Sequence, residues 1–507
     1  MPAKNHNLYA HFSSAFANNC NKVLMTTADE QEISFTDVDR LSAQIANYLS
    51  KIGIKRGDRV SVQVQKSAEN LFLYFACLRA GYVFHPLNLG YKTRELDYFI
   101  GNAESSVIVC DDRNEAEFRT IAENAGLEYV LTLNGDGSGS LINASLGESD
   151  TFETVQSRED DLAALLYSSG TTGVPKGIML THQNLLANAQ TLVRAWGFTR
   201  DDRLLHALPI FHVHGLFVAV GCVMLSGASM RWLPGFDCEA VIRYLPECTV
   251  MMGVPTYYTR LLGDKSFTTE ASRNMRLFVS GSAPLLEETF VEFEARTGHQ
   301  ILERYGMTET NMNSSNPLDG ERKPGAVGPA LPGVEIRITD DEGNTLPQGE
   351  TGNLQVRGDN VFLGYWRMPE KTAADFTEDG YFNTGDMGRI DSDAYLVIVG
   401  RSKDLVITGG LNVYPKEIEL FIDDLPGVTE SAVIGIPHAD FGEAVVAVVV
   451  TASPDTANEK AIVDACRQEL ANFKVPKAVV FVDELPRNAM AKVQKNALRE
   501  SFKNLLS

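Results

Sequence analysis

The segment Tyr167 to Gly177, YSSGTTGVPKG, gathers the hydroxyls of Ser168, Ser169, Thr171 and Thr172, glycines including Gly170, and the ammonium of Lys176, directly after the apolar run LAALL. Backbone N–H groups of such a loop, helped by hydroxyls and one cation, suit the oxygens of a phosphate chain. No GK[ST] ends it, so it is not a Walker loop. Farther on, ERYGMTET sets Tyr305, Thr308 and Glu309 in one short turn. These offer an aromatic face for a base, a hydroxyl for a phosphate and a carboxylate for Mg2+. YFNTGDMG puts Asp386 in a glycine turn where its carboxylate can accept two ribose hydroxyls, and GRSKD follows with Arg401. Each segment alone has an ordinary explanation as a surface loop or capped turn. Together they supply the parts of a nucleotide site.

Such residues need strands to carry them. Before residue 130 the chain alternates RVSVQVQ, SAENLFLYFACLRAG, SSVIVC, EAEFRTIAENAG and EYVLTL. Short β-rich runs alternating with longer helical ones predict βαβ units and a largely parallel sheet. TVMMGVP and MRLFVSGS read as buried strands ending in small residues or proline, and ligands of open α/β sheets sit at the carboxyl ends of such strands. After about residue 325 the texture changes to short, glycine-punctuated runs of a strand-rich subdomain. The last hundred residues read as a small α+β unit, with SAVIGIP, AVVAVVV, the amphipathic EKAIVDACRQELANF and KAVVFVDEL. The expected fold is therefore α/β: a large N-terminal domain over residues 1–400, with mostly parallel sheets flanked by helices and a strand-rich subdomain, then a small α+β domain over 401–507.

Length agrees, since 507 residues exceed what one hydrophobic core organises. The net charge of -21 disfavours nucleic acid or an anionic membrane as partner, so any anionic substrate must be met by local cations. The longest apolar run, Leu216 to Met224, is too short for a membrane span, and the opening MPAKNHNLYAHF lacks the basic and apolar regions of a secretory signal. A cytoplasmic location is expected. Seven cysteines without a CxxC pair suggest neither a disulfide framework nor a metal site.

The motifs YSSGTTGVPKG, LPIFHVHG, SGSAPL, YGMTET, GETGNLQVRG, YFNTGD, GRSKDLVITGGLNVYPKEIE and PRNAMAKVQK, in this order, resemble the acyl-adenylate-forming superfamily of acyl-CoA synthetases, luciferases and peptide-synthetase adenylation domains. The resemblance runs over nearly the whole chain. It implies that Ser168 to Lys176 hold the ATP phosphates, that Gly281, Ser282, Ala283 and Pro284 with Tyr305 and Gly306 form the adenine slot, and that Asp386 and Arg401 take the ribose. Thr171 and Glu309, with Thr308 nearby, would place Mg2+ against phosphate oxygens. Lys492 matches the catalytic lysine that draws the carboxylate and the α-phosphate together. The C-terminal domain would be mobile, turning about a hinge at Lys403, near 401–404, between adenylation and thioester formation. Ala491 precedes Lys492 where the superfamily has glycine, and Ala394 stands at another usual turn glycine.

Within the superfamily, ALPIFHVHGLF, MGVPTYYTRLL, ERYGMTETNMN and PRNAMAKVQKNALRE resemble the malonate-activating acyl-CoA ligases. A dicarboxylate brings a second charge that needs a cation. The resemblance implies Arg260 for that role, aided by Ser280 or Ser282, with His212 as the active-site histidine, His214 behind it, and Val213 and Met307 lining the acyl side. The expected reaction is ATP-dependent ligation of malonate, or methylmalonate, to coenzyme A. The alternatives are a short-chain monocarboxylate ligase, a carrier-loading adenylation enzyme, disfavoured because seven residues follow Glu500, and a nucleotide-binding regulator suggested by Ala491. Expected partners are the carboxylate substrate, ATP and coenzyme A, with neither nucleic acid nor membrane.

Overall fold

The computed structural model describes residues 5–16, 21–168, 175–408, 411–438, 442–452, 457–470, 472–488 and 492–506. The apolar stretch after Ser67 becomes helix Ala68–Ala80, with Ser67 accepting the Asn70 N–H at its start and Gly81, φ 75°, closing its end. Nearly every residue of this helix is buried, as an all-round apolar helix requires. It connects strand Arg59–Gln63 to Val83–Pro86, which pair in parallel; Ser105–Cys110 lies parallel on the other side, and Tyr129–Thr132 beyond it. The predicted βαβ series thus supplies four strands of a seven-stranded sheet, completed by Leu162–Ser168, Lys176–Thr181 and Gly364–Tyr365.

A second sheet has eight strands. Its middle runs parallel, with Arg203–His206, Val250–Gly253, Leu277–Ser280 and Ile301–Met307 side by side. The run LFVAVGCVML forms a buried π-helix, His214–Ala219, continued by helix Val220–Ser226. No helix among the described residues is long and apolar enough to cross a membrane.

The chain divides into two compact units, residues 1–335 with 356–382, and residues 336–355 with 383–507. Both sheets above belong to the first. In the second, the antiparallel strands Val428–His438 and Gly442–Thr451 carry helices Pro415–Asp423 and Glu459–Glu469 on one face and helix Lys495–Phe502 on the other. Both faces of AVVAVVV are therefore covered, which explains why it is apolar without alternation. The architecture is the α/β fold expected, a large N-terminal part of parallel and mixed sheets followed by a smaller C-terminal one.

One local expectation needs correction. Tyr305, Gly306 and Met307 do not share a turn with Thr308 and Glu309; they end strand Ile301–Met307, and only residues 308–310 turn before strand Asn311–Ser315. The register slips between Tyr305 and Gly306, and a Cβ on Gly306 would lie 2.0 Å from the Asn311 carbonyl oxygen. Only glycine permits that approach.

Candidate active site

Strands Val250–Gly253 and Leu277–Ser280 end together, with Gly253 and Ser280 in register and Glu303 of the longer strand Ile301–Met307 beside Ser280. At this rim Ser280 is fully buried and its Oγ has no hydrogen-bond partner among the described residues. Gly281 follows because a Cβ there would meet the Arg304 guanidinium carbon at 2.5 Å. Ser282 takes the left-handed φ of 74°, which aims its hydroxyl at His214, 3.4 Å from Nδ1. Ala283 and Pro284 are exposed, while Tyr305, Gly306, Met307 and Thr308 are half-buried.

Arg304 is the unexpected residue here. It is 3% exposed, and its Nε and Nη2 have no hydrogen-bond partner among the described residues. Burial lowers its pKa to about 10, opposed by Tyr258 and Glu303, so it stays cationic at neutral pH. His214 lies beside it, buried, with Nε2 unpartnered among the described residues. Burial first, then the charges of Arg304, His212 and His206, hold the His214 pKa well below the ordinary imidazole value. His214 is therefore a neutral, polar wall. His212 is half-buried and receives the His214 N–H on Nδ1 at 3.3 Å, and Val213 between them is buried.

Arg260 is placed differently from Arg304. Helix Pro255–Gly263 buries Tyr258, Leu261 and Leu262, leaving Arg260 exposed and without an ion pair among the described residues. The signal for Arg304 was in the sequence all along: an arginine inside the apolar strand ILERYGM. An isolated strand does not reveal which of its polar residues neighbours will cover.

On the phosphate side, Ser168 and Lys176 face each other across antiparallel strands, while Ser169, Gly170, Thr171 and Thr172 lie outside the described residues. Lys176 is buried, 3.9 Å from Asp375 and over the Tyr365 ring at 4.8 Å. Its pKa is lowered by burial and by Lys371, against the pull of Asp375 and Glu309. Helix Pro369–Asp375, which supplies Lys371 and Asp375, carried no sequence signal. Glu309 is buried in the turn after Met307. No group of three metal-ligating side chains occurs among the described residues.

In the second unit, Asp386 and Arg401 are cross-strand partners, Nε to Oδ1 2.7 Å, with the Asp386 N–H on Thr384 Oγ1. Lys403 lies in a single 3-10 turn, Ser402–Asp404, where Asp404 pairs with Arg499 at 2.9 Å. Lys492 is exposed; Arg487 bridges to Val493, and the Asn488 N–H donates to the Lys492 carbonyl at 2.9 Å. Ala491 lies outside the described residues.

Residues 12–366 match the family model for the AMP-binding enzyme, and residues 417–492 that for the AMP-binding enzyme C-terminal domain. The chain belongs to the AMP-binding enzyme family. Among its relatives is a malonate–CoA ligase of Arabidopsis thaliana, 34% identical across 98% of this chain and 88% of that one. The mitochondrial malonate–CoA ligase ACSF3 of Mus musculus is 36% identical over 88% of this chain and 82% of its own. The crystal structure of ATP-bound MatB from Rhodopseudomonas palustris superposes with a TM-score of 0.97 at 53% identity, covering 99% of this chain and all of that one.

Proposed function

We propose that the enzyme ligates malonate to coenzyme A at the expense of ATP. A malonate carboxylate oxygen attacks the α-phosphorus, pyrophosphate leaves, and the acyl-adenylate is then attacked at carbon by the coenzyme A sulfur, releasing AMP and malonyl-CoA. The observation that carries the malonate reading is Arg304. A buried guanidinium with two nitrogens unpaired costs several kcal/mol unless a ligand completes it. The second carboxylate of malonate is such a ligand, and the unpartnered Ser280 Oγ and the Ser282 hydroxyl stand on the same rim. The exposed Arg260 serves as an outer cation that draws the anion in. Val213 and Met307 bound the acyl side, and His212 faces the reacting carboxylate. The relatives named above as malonate–CoA ligases, and the fold shared with MatB, support this reading.

For the nucleotide, Ser168, Ser169, Gly170, Thr171, Thr172 and Lys176 hold phosphates, while Gly281 to Pro284 with Tyr305 and Gly306 hold adenine. Asp386 and Arg401 take the ribose, and Thr308 donates to phosphate. Glu309 and Thr171 hold Mg2+, which when bound neutralises charge on the phosphate chain. Lys492 bridges carboxylate and α-phosphate, and the segment from 401 to 507 turns about a hinge at Lys403. We place the reaction in the cytoplasm, where ATP and coenzyme A are both supplied.

The test is pyrophosphate release with malonate, methylmalonate, acetate and propionate, with and without coenzyme A. Malonate-dependent release, with malonyl-CoA and AMP formed only when the thiol is present, is expected. A higher kcat/KM for propionate than for malonate would falsify the dicarboxylate assignment.

A further inference from the structure

The loop that carries His212 borders a cavity of about 210 Å3, lined by Val62, Phe84 and Pro86 from two strand ends and by Pro209, Ile210 and Phe211 from the loop. Lys66 stands in its wall, buried, and pairs with no carboxylate among the described residues. Its Nζ lies 2.8 Å from His206 Nδ1 and 2.8 Å from the His206 carbonyl oxygen, over the Trp232 ring at 4.1 Å. On the other side of the imidazole, Nε2 lies 2.9 Å from the Gly215 carbonyl oxygen.

A carbonyl only accepts, so the proton of neutral His206 sits on Nε2 and its Nδ1 lone pair accepts from Lys66. That holds whatever the charge of the amine. Gly215 is the second residue of the π-helix His214–Ala219, and a Cβ on it would lie 2.1 Å from the Pro209 carbonyl oxygen. The loop from Pro209 to Gly215 thus closes on itself through backbone contact. Where it faces the cavity it has space rather than packed side chains against it, so packing alone does not set its position.

We propose that Lys66 is a positioning residue for acyl-adenylation: through His206 and the Gly215 carbonyl it holds Val213 and His214 against Ser282 and Arg304. The relay runs from Lys66 N–H to His206 Nδ1, and from His206 Nε2–H to Gly215. This rests on reading the Arg304 rim as the place where malonate's free carboxylate binds.

Three variants of the full-length enzyme test it. Lys66→Met removes the donor at similar bulk. His206→Gln puts an amide N–H near the place of Nε2 and keeps the bond to Gly215; His206→Asn keeps an acceptor for Lys66 and is too short for Gly215. Lys66→Met and His206→Asn are expected to raise KM for malonate about tenfold, the worth of one buried hydrogen bond, while KM for ATP stays within about twofold. His206→Gln, which keeps the Gly215 bond and loses the acceptor for Lys66, should match Lys66→Met. A wild-type KM for malonate in either His206 variant, or parallel rises of both KM values in Lys66→Met, overturns the proposal. Should Lys66→Met not fold, the His206 pair decides. Nitrogen-15 spectra of the folded enzyme give a second readout without substrate: Nε2–H for His206 is expected, and Nδ1–H overturns the relay. Failure of wild-type enzyme to use malonate would sink the functional reading instead, leaving the tautomer result to stand by itself.

Discussion

Arg304 in the first unit and Glu419 in the second lie at similar depth, 3% and 6% exposed, yet the chain treats them differently. Glu419 accepts from Lys495 at 2.5 Å and from the Val433 N–H at 2.8 Å, with Lys416 at 4.0 Å. Its valences are met by its own fold, and it ties helix Pro415–Asp423 to the start of helix Lys495–Phe502, three residues after Lys492. Arg304 keeps Nε and Nη2 open, and the open atoms of His214 and Ser280 occur around the same strand ends. Depth of burial does not separate a strut from a site. Convergent unmet hydrogen-bonding capacity does, because a fold that leaves it unmet gives up stability that a bound ligand returns.

The sharpest way to break this contrast is Arg304→Met. If the guanidinium awaits a carboxylate, kcat/KM for malonate falls by about 3 to 5 kcal/mol, a factor of 10² or more, while that for propionate stays level or rises. Equal losses for both acids would make Arg304 a strut like Glu419. Arg260→Met, an exposed cation, should cost malonate about tenfold or less, mostly in association, and the loss should shrink with added salt.

Lys492 sharpens the comparison from the opposite side, being exposed and yet proposed as catalytic. Lys492→Ala should lower adenylation by about 10² to 10³ and spare thioester formation from supplied malonyl-adenylate. Thermal stability should not change. Parallel loss of both half-reactions would remove the assignment. Glu419→Ala reverses the pattern: it strands Lys495 and the Val433 N–H, so unfolding in denaturant should show a loss of about 3 kcal/mol.

Asp423 is intermediate. Its Oδ1 is buried without a partner among the described residues, but no other open group joins it. Burial pushes its carboxyl up from 3.8 to about 6, reinforced by Glu419 and opposed by Ser431 and Lys416. The folded state then holds the proton more tightly than the unfolded chain. Stability from this group is present at low pH and lost as pH rises from about 4 through 6. Asp423→Asn should therefore raise stability at pH 8 by about 1 to 2 kcal/mol and flatten the dependence between pH 4 and 6. An unchanged pH profile would show the carboxyl to be solvated.

The sheets were legible in the sequence because runs such as SSVIVC and TVMMGVP are buried on both faces and read as apolar wherever they sit. The rim residues Ser280 to Pro284 were legible as a strand end. Arg304 was not, because its burial is produced by strands distant in sequence, and an arginine in ILERYGM looks the same exposed or covered. Arg260 is the cation that the family resemblance implies; its exposure is set by helix register, with Tyr258, Leu261 and Leu262 on the inner face. Lys66 and His206 are separated by 140 residues, so no sequence motif joins them.

The smallest expected effect concerns Ala394, whose φ of 67° places an alanine where glycine is usual. The turn is otherwise well made: Ala394 N–H donates to the Asp391 carbonyl at 3.0 Å, Asp391 N–H to the Tyr395 carbonyl at 2.9 Å, and Tyr395 N–H to Asp391 Oδ1 at 2.8 Å. Two effects oppose each other in Ala394→Gly. Removing Cβ relieves about 1 to 2 kcal/mol of left-handed strain, while glycine adds unfolded-state freedom worth about 0.5 to 1 kcal/mol. Relief wins, and a net gain of about 0.5 kcal/mol should appear in denaturant midpoints, with adenylation unchanged because the turn holds none of the proposed site residues. A net loss would mean that the three hydrogen bonds already offset the strain. It would also mean that backbone strain in the second unit, like its buried charge at Glu419, is settled within the fold, in contrast to the open rim at Arg304.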